Sequence, residues 1–546
     1  MTQMLRIRSK FLSYLLMDYP KSSLRRALTP FLLGLLLSTA FPPRSYIILG
    51  FISLLLFYRH FEKTLECASK GFFSVGYWYG FGYFAGGLYW IAYALHIDWV
   101  KYGVLIPLAA LGIPAALALG LGTATFIASR LRSLGRLLPL LAFIVSWSLF
   151  EWVKGHMLSG FPWLNLAEIW LGGQTVIQNL AFVGPYGLGL LTLVLFVLLY
   201  GVIFFGKASR PSYLGCFFLL SASLLINGSV HLSKEPQRFY TDFDLVLVQP
   251  NILQIHKWDN DRLRSNIETH LRLSQQGRLL PQVGTTYKPK LFIWPEASVP
   301  YLVDSKSPFA KYVSQILQEG DYLILGGPRR NEEKGAHYNS LSILNHQGEV
   351  VGIYDKAHLV PYGEYVPYRE FLPESLEKLS PGEHDYTAGE GLKTLSIKGF
   401  PSFSPLICYE AIFTQEVIQE GDVTSNQKRP SWMLNLTNDG WYLDSAGIYQ
   451  HLQLTRMRAI EEGIPLVRVV YKGVSAVFDG NGRLSAQIPF DQAQGLVTQL
   501  PQPLKMKTFY SLHGQKIYAL ILLVLSVFMI LLGLYTLKIR RNEVYL

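Results

Sequence analysis

The stretch Pro405-Leu406-Ile407-Cys408-Tyr409-Glu410 carries a short apolar run into a reactive side chain. The pattern recurs in Leu291-Phe292-Ile293-Trp294-Pro295-Glu296 and in Val350-Val351-Gly352-Ile353-Tyr354-Asp355-Lys356. Short continuous apolar runs of this kind read as strands buried on both faces, as in a sheet covered by helices. Outward from these three, further strands are expected at 244–248, 322–325, 340–344, 432–436, 465–470 and 475–478, the last running into the hairpin turn Asp479-Gly480-Asn481-Gly482. Helices fit 260–276, 308–319, 411–419 and 446–462, while Gly326-Gly327-Pro328 reads as a turn. The stretch 360–392, with its Pro, Gly and aromatic residues, reads as long surface excursions. The alternation predicts a layered α/β domain with sheet packed inside helices.

That domain, at 229–515, is flanked by apolar sequence at 1–228 and 516–546. A bilayer core takes roughly 20 apolar residues per helix. Eight candidate spans fall near 27–42, 46–58, 72–95, 103–128, 137–153, 180–205, 213–228 and 516–537, the second short enough to be re-entrant. The first run leads into further spans rather than a soluble start, so no cleaved leader is expected. Arg6, Arg8, Lys10, Lys21, Arg25 and Arg26 precede the first span, and Lys538, Arg540 and Arg541 follow the last. Alternate loops carry Arg59, Lys63 and Lys70, then Arg130, Arg132 and Arg136, then Lys207 and Arg210; the opposite loops carry Arg44, Lys101 and Lys154. Seventeen basic residues against three place both termini in the cytoplasm and residues 229–515 on the far side. The net charge of +11 divides into about +13 on the apolar part and about −2 on the rest, so the basicity marks topology and not nucleic-acid binding.

Of the three cysteines, Cys67 falls in a cytoplasmic loop and Cys216 in a span, which leaves Cys408 alone in its compartment. A lone thiol there is an inert core residue or a nucleophile. Glu296, Lys356 and Cys408 each stand at a strand end, where a rigid sheet presents groups to a cleft. Their chemistry is coherent. A carboxylate takes the thiol proton, an ammonium stabilises the oxyanion, and the acid returns its proton to the leaving group. Each also has a plainer reading: small core hydrophobe, helix cap, solvated lysine. His256, His270, His337, His358 and His451 show no paired ligand spacing, and no phosphate-cradling glycine loop is present, so neither metal nor cofactor is expected.

Longer motifs surround the trio. Trp294-Pro295-Glu296-Ala297, the run from Tyr354-Asp355-Lys356 through Pro361-Tyr362-Gly363-Glu364-Tyr365-Val366-Pro367, and Ile407-Cys408-Tyr409-Glu410 resemble the Glu, Lys and Cys motifs of the nitrilase superfamily. Together with the spans they resemble the bacterial apolipoprotein N-acyltransferase family. So do Val248-Gln249-Pro250-Asn251-Ile252 with Lys257-Trp258, Tyr338-Asn339-Ser340, Thr437-Asn438-Asp439-Gly440-Trp441-Tyr442, Glu151-Trp152 and Gly160-Phe161-Pro162-Trp163. The resemblance implies an αββα sandwich outside the cytoplasm of an inner-membrane protein. Glu296 would be the base, Lys356 the intermediate stabiliser and Cys408 the nucleophile. Glu364, Glu410, Tyr409 and Asn339 would be auxiliary, and Trp258, Tyr362, Tyr365 and Trp441 substrate contacts. The sequence departs from the family pattern at Val470-Tyr471-Lys472-Gly473, Leu443 and Ile448, positions that shape the acceptor pocket.

The implied reaction moves an acyl chain from a phospholipid through a Cys408 thioester to the α-amino group of a diacylglyceryl cysteine on an apolipoprotein, by a monomeric enzyme. The rings of Tyr362, Tyr365, Tyr368 and Phe371 suit a membrane-facing lid at 361–371 or ordinary loop packing. Two other classes are a membrane-tethered nitrilase-type hydrolase, which would release free acid or ammonia, and a non-enzymatic binding protein indifferent to Cys408→Ala.

Overall fold

The computed structural model describes residues 23–67, 70–233, 236–279, 287–303, 307–333, 335–371, 378–380, 384–419 and 429–544. Arg6, Arg8, Lys10 and Lys21, used above for orientation, lie outside these, as do 372–377 and 381–383 of the expected excursion. The described chain divides into two compact units. One takes in the residues up to Ala92, Val104–Val230 and those from His513; the other takes in Tyr93–Gly103 and His231–Leu512.

The apolar runs of the second unit pair into two sheets. β1 (Asp244–Gln249), β2 (Lys290–Ile293), β3 (Tyr322–Asn331), β4 (Ala336–Asn345) and β5 (Val350–Asp355) form the first, joined by β11 (Gln494–Thr498) in the order β11-β1-β2-β3-β4-β5. β6 (Phe403–Ile407), β7 (Trp432–Thr437), β8 (Leu466–Val470), β9 (Ser475–Phe478) and β10 (Leu484–Ile488) form the second, in the order β10-β9-β8-β7-β6. β1, β2 and β3 are parallel, and β4 reverses between β3 and β5, so β5 runs with them. β6, β7 and β8 are parallel to one another.

One apolar core joins the sheets, mixing Leu247, Ile293, Ile324 and Leu341 of the first with Ile407, Leu434, Val467 and Val477 of the second. A second core packs Val246, Phe292 and Leu323 against Ile267 and Leu273 of the helix Leu263–Leu279 and Val313 of the helix Pro308–Ser314. A third packs Met433, Leu466 and Ala476 against Ile448, Leu452 and Ala459 of the helix Ala446–Glu462. This is the expected αββα layering, and residues buried on both faces of each strand produce it.

Two local expectations are corrected. Gly326-Gly327-Pro328 is no turn but mid-β3, paired with Leu341, Ser340 and Asn339. A Cβ at Gly326 would stand 2.7 Å from main-chain atoms of Pro295, Glu296 and Ala297, so glycine here admits a neighbouring backbone. The helix expected at 411–419 is instead a 3₁₀ turn, Cys408–Ile412, and Phe413 is already extended. Arg458 Nη1 takes the Ile412 carbonyl at 2.8 Å, removing an acceptor that a continuing helix would use. The hairpin turn at 479–482 leads from β9 into the antiparallel β10, as its sequence implies, whereas β11 has no counterpart in the sequence reading.

The first unit is helical at all eight apolar stretches. Among the described residues, five helices are long and apolar enough to cross a membrane: Leu108–Arg130, Leu137–His156, Val176–Phe204, Arg210–Ser233 and Lys516–Asn542. Ser23–Ser38 and Phe72–Leu88 are shorter, the second passing into a 3₁₀ stretch, Tyr89–Asp98. Ile47–Cys67 is one 21-residue helix and carries Arg59, Glu62, Lys63 and Glu66 in its second half. These helices approach closely at small residues: a Cβ at Gly34 or Gly82 would meet a backbone carbonyl at 2.0 Å. Two buried carboxylates inside the unit are held by cations. Glu62 accepts from Arg136 Nε at 2.6 Å and Tyr200 at 2.6 Å, and Lys154 donates to Glu151 at 3.0 Å and to the Trp163 carbonyl at 2.7 Å. Glu151 and Trp163, from two separate sequence motifs, thus meet through one lysine.

Candidate active site

β2 and β5 run the same way, so Glu296 and Lys356 leave the first sheet at the same end. Lys356 Nζ lies 2.8 Å from Glu364 Oε2 and 3.9 Å from Glu296 Oε1. Asn339, on β4, donates through Nδ2 to Glu296 Oε1 at 2.9 Å and to Glu364 Oε1 at 2.8 Å. Its carbonyl accepts the Lys356 amide at 2.9 Å. One amide thus spaces two carboxylates around a fully buried ammonium. Glu364 is further held by the Val360 amide at 2.8 Å. The Glu296 main chain presses on Gly326, and Ala297 follows it at φ 45°, fixing where the carboxylate leaves the backbone.

Cys408 follows β6 with φ 54°, a left-handed conformation that a side chain adopts only where its surroundings impose it. Glu410 imposes it from one side. Its Oε2 accepts the Ile407 amide at 2.7 Å, and its Oε1 accepts Tyr354 Oη at 2.8 Å and the amides of Ala357 and His358 at 2.7 and 3.0 Å. One buried carboxylate therefore ties the turn of Cys408 to the turn that carries Lys356. Burial, outweighing those donors, raises its pKa.

From the other side Asn435 Nδ2 donates to the Cys408 carbonyl at 3.2 Å. Asn435 Oδ1 accepts from Arg468 at 2.8 Å, and Arg468 Nη2 meets Asp439 Oδ2 at 2.6 Å. His451 Nδ1 donates to Asp439 Oδ1 at 2.8 Å. Burial opposes the Asp439 charge, but Arg468 and then His451 outweigh it and hold the carboxyl below its usual range.

The electrostatics separate the roles. Burial, then the neighbouring Glu296, pushes the Cys408 thiol up to about 12, with Lys356 opposing. Burial likewise raises Glu296 against the pull of Lys356. For Lys356, burial is outweighed by Glu364, Cys408 and Glu296, so it stays charged. At neutral pH the site holds a protonated thiol, a fixed cation and a carboxylate of raised proton affinity.

Tyr409 is buried, its ring against Phe413 and His358 with centroids 4.9 and 5.7 Å away. Tyr362 and Tyr365 flank Glu364 in a tight turn closed by the Tyr362 amide on the Tyr365 carbonyl at 2.7 Å. Trp258 and Trp441 are half-buried. Beside Trp441, the Tyr442 phenol is raised by burial first and by Cys408 next. Sequence reading missed Tyr442, Asn435, Arg468 and Lys257, a buried lysine that donates to the Glu296 carbonyl at 3.2 Å. The departures are accommodated. Ile448 is core, Tyr471 is buried, Leu443 sits exposed at φ 50°, and Lys472 pairs with Asp491 at 2.6 Å.

Two family profiles match the chain in tandem: "Apolipoprotein N-acyltransferase N-terminal domain" over residues 33–222 and "Carbon-nitrogen hydrolase" over residues 246–504. A Brucella melitensis protein named apolipoprotein N-acyltransferase is 34% identical over 497 residues, covering 88% of this chain and 90% of the relative. A protein of the same name from Rhodopseudomonas palustris is 34% identical over 467 residues, covering 84% of this chain and 85% of the relative. Among solved structures, a CN-hydrolase superfamily protein from Xanthomonas campestris is similar at TM-score 0.36 and 21% identity, over 48% of this chain and 91% of that one.

Proposed function

Since the chain belongs to the apolipoprotein N-acyltransferase family, we propose that Cys408 carries the acyl group as a thioester between a phospholipid donor and the α-amino group of a diacylglyceryl cysteine at an apolipoprotein N-terminus. The chain is an integral membrane acyltransferase of the bacterial inner membrane. The observation that carries the thioester reading is the ammonium of Lys356, 2.8 Å from one carboxylate and 3.9 Å from another, in the pocket of a buried thiol held at positive φ.

Glu364 balances Lys356 at contact distance, and that leaves Glu296 free to move protons. In the first step Glu296 takes the Cys408 proton and the sulfur attacks the donor's ester carbonyl. Lys356 faces the oxyanion. The carbon–oxygen bond to glycerol breaks, and Glu296 returns the proton to the leaving alkoxide, giving lysophospholipid. In the second step the acceptor amine attacks the thioester, Glu296 takes an amine proton, and the carbon–sulfur bond breaks. The thiolate recovers its proton, and the product is an amide.

On this reading the second unit faces the far side of the membrane, with both termini cytoplasmic, and the enzyme acts as a monomer. Tyr362, Tyr368 and Phe371, all exposed, form an interfacial lid, and Trp258 and Trp441 contact substrate. Incubating the protein with phospholipid alone should produce an acyl adduct by intact mass, absent in Cys408→Ala. An adduct persisting in Cys408→Ala, or none on the wild type, overturns the thioester. Free fatty acid released at the rate of donor consumption would mark a hydrolase.

A further inference from the structure

Lys257 is a buried charge that the two steps above leave unused. It follows β1, is only 4% exposed, and among the described residues forms no ion pair. Its ammonium donates to the Glu296 carbonyl at 3.2 Å and stands 4.1 Å from the centroid of the Tyr471 ring and 5.4 Å from that of Trp258. Lysine is rarely buried without a carboxylate partner, and a ring face is the substitute here.

The turn that carries it is fastened at several points. Asn266 Nδ2 donates to the carbonyls of His256 and Lys257 at 3.0 and 3.3 Å. Gln254 Oε1 accepts from Asn438, after β7, at 2.7 Å. The Asn251 amide donates to the Tyr471 carbonyl, after β8, at 3.0 Å. A fastening of this extent around an unpaired cation costs stability that a core apolar residue would not.

We propose that Lys257, seated on the Tyr471 ring, is a second ammonium of the active site that keeps Glu296 ionised as the proton acceptor. This rests on Glu296 being the base. Glu364, 2.8 Å from Lys356, offsets part of that ammonium's pull on Glu296, whose burial favours the neutral acid. Lys257 adds positive charge beside the carboxylate. The other groups facing the pair do not: burial drives His270 to about 4, leaving it neutral, and raises Tyr471; Cys408 at about 12 and Tyr386 at about 12 stay protonated. Lys257 itself is lowered by burial to about 8, against the pull of Glu296 and Cys408, and is cationic at neutral pH.

The test is the pH profile of Cys408 alkylation by iodoacetamide in the full-length protein, which reads proton transfer to Glu296 and needs no lipid. Removing a nearby opposite charge raises a carboxylate by roughly one unit or more. Lys257→Met should therefore move the acidic limb up by about one pH unit: a loss of about tenfold below the limb that vanishes above it. Lys257→Arg should leave the limb in place. If Lys257→Met does not fold, Tyr471→Leu, which removes the seat, should move the limb the same way. An unmoved limb in Lys257→Met, or an equal loss at every pH, makes the residue structural and overturns the proposal. A wild type without an acyl adduct but with the shifted limb would instead remove the thioester reading alone.

Discussion

Gly326→Ala tests whether the position of Glu296 is set by backbone packing. The added Cβ would stand 2.7 Å from the Ala297 nitrogen, the Glu296 Cα and the Pro295 carbonyl oxygen. All three are main-chain atoms, so no side chain can swing aside, and ordinary contact begins near 3.4 Å. Relief needs the Glu296 segment to retreat by about 0.7 Å, the difference between those distances. Asn339 holds Glu296 at 2.9 Å and Lys356 lies 3.9 Å away, so a retreat of that size breaks the first contact and weakens the second. Overpacking costs about 1–3 kcal/mol, and a misplacement approaching 1 Å at a reacting group costs about 100-fold in rate. Thermal melting and single-turnover adduct formation should show a modestly destabilised protein that acylates Cys408 about 100-fold more slowly. Gly327→Ala is the control, because its Cβ would meet the Val299 side chain at 3.0 Å, which can turn away. A Gly326→Ala protein with a lowered melting point but a rate within about threefold of wild type would refute the reasoning, since an overpacked Glu296 segment would then not matter to the chemistry.

Three further outcomes follow from the same geometry. In the proposed mechanism Glu296 acts deprotonated, and burial raises its pKa, so the rate of adduct formation should fall with acid along a limb lying above the ordinary carboxylate value of 4.5; a limb at or below that value would exclude it as the base. Glu410→Gln puts an amide donor against amide or hydroxyl donors that its oxygens now accept, and leaving such groups unsatisfied costs about 1–3 kcal/mol each; urea denaturation should show that loss together with a fall in acylation of more than about tenfold. Asp439→Asn strips the fully buried Arg468 of its counter-charge, a change worth about 3–5 kcal/mol, so its melting transition should drop far more than that of Asp491→Asn, where the carboxylate removed is itself exposed to solvent.

How much of this was legible in the sequence depends on where each signal is stored. β2, β6, β7 and β8 were readable because burial on both faces writes itself as continuous apolar residues. β10 and β11 are half-exposed and carry Ser485, Gln487, Gln494 and Thr498, so neither apolar runs nor clean alternation marks them; their pairing to β9 and β1 decides them. Gly326-Gly327-Pro328 has turn composition, yet its glycines answer a tertiary demand from the segment 295–299. The Glu, Lys and Cys positions were readable from strand ends and motif resemblance. Arg468 was not, because an arginine inside an apolar strand declares itself only through Asp439 and Asn435, which lie on another strand and its following turn. Lys257 stood within a recognised motif, but nothing local announces that a ring 214 positions later in the chain seats its charge.

With Cys408 as the proposed nucleophile, the site's arrangement follows from placing a thiol where it must not react early. Parallel strands in both sheets, with β5 running alongside, bring Lys257, Glu296, Lys356, Cys408, Asp439 and Tyr471 out beyond the same kind of strand end. A thiol pushed up to about 12 by burial and a neighbouring carboxylate is inert at neutral pH on its own. Burial supplies most of that restraint and an ionised Glu296 adds to it, while a protonated Glu296 would leave the thiol proton without an acceptor. Buried carboxylates drift toward protonation, so positive charge held nearby matters, and Glu364 offsets part of what Lys356 offers. The same burial that protects the thiol therefore favours a further cation, and Lys257 on its aromatic seat is the residue positioned to supply it.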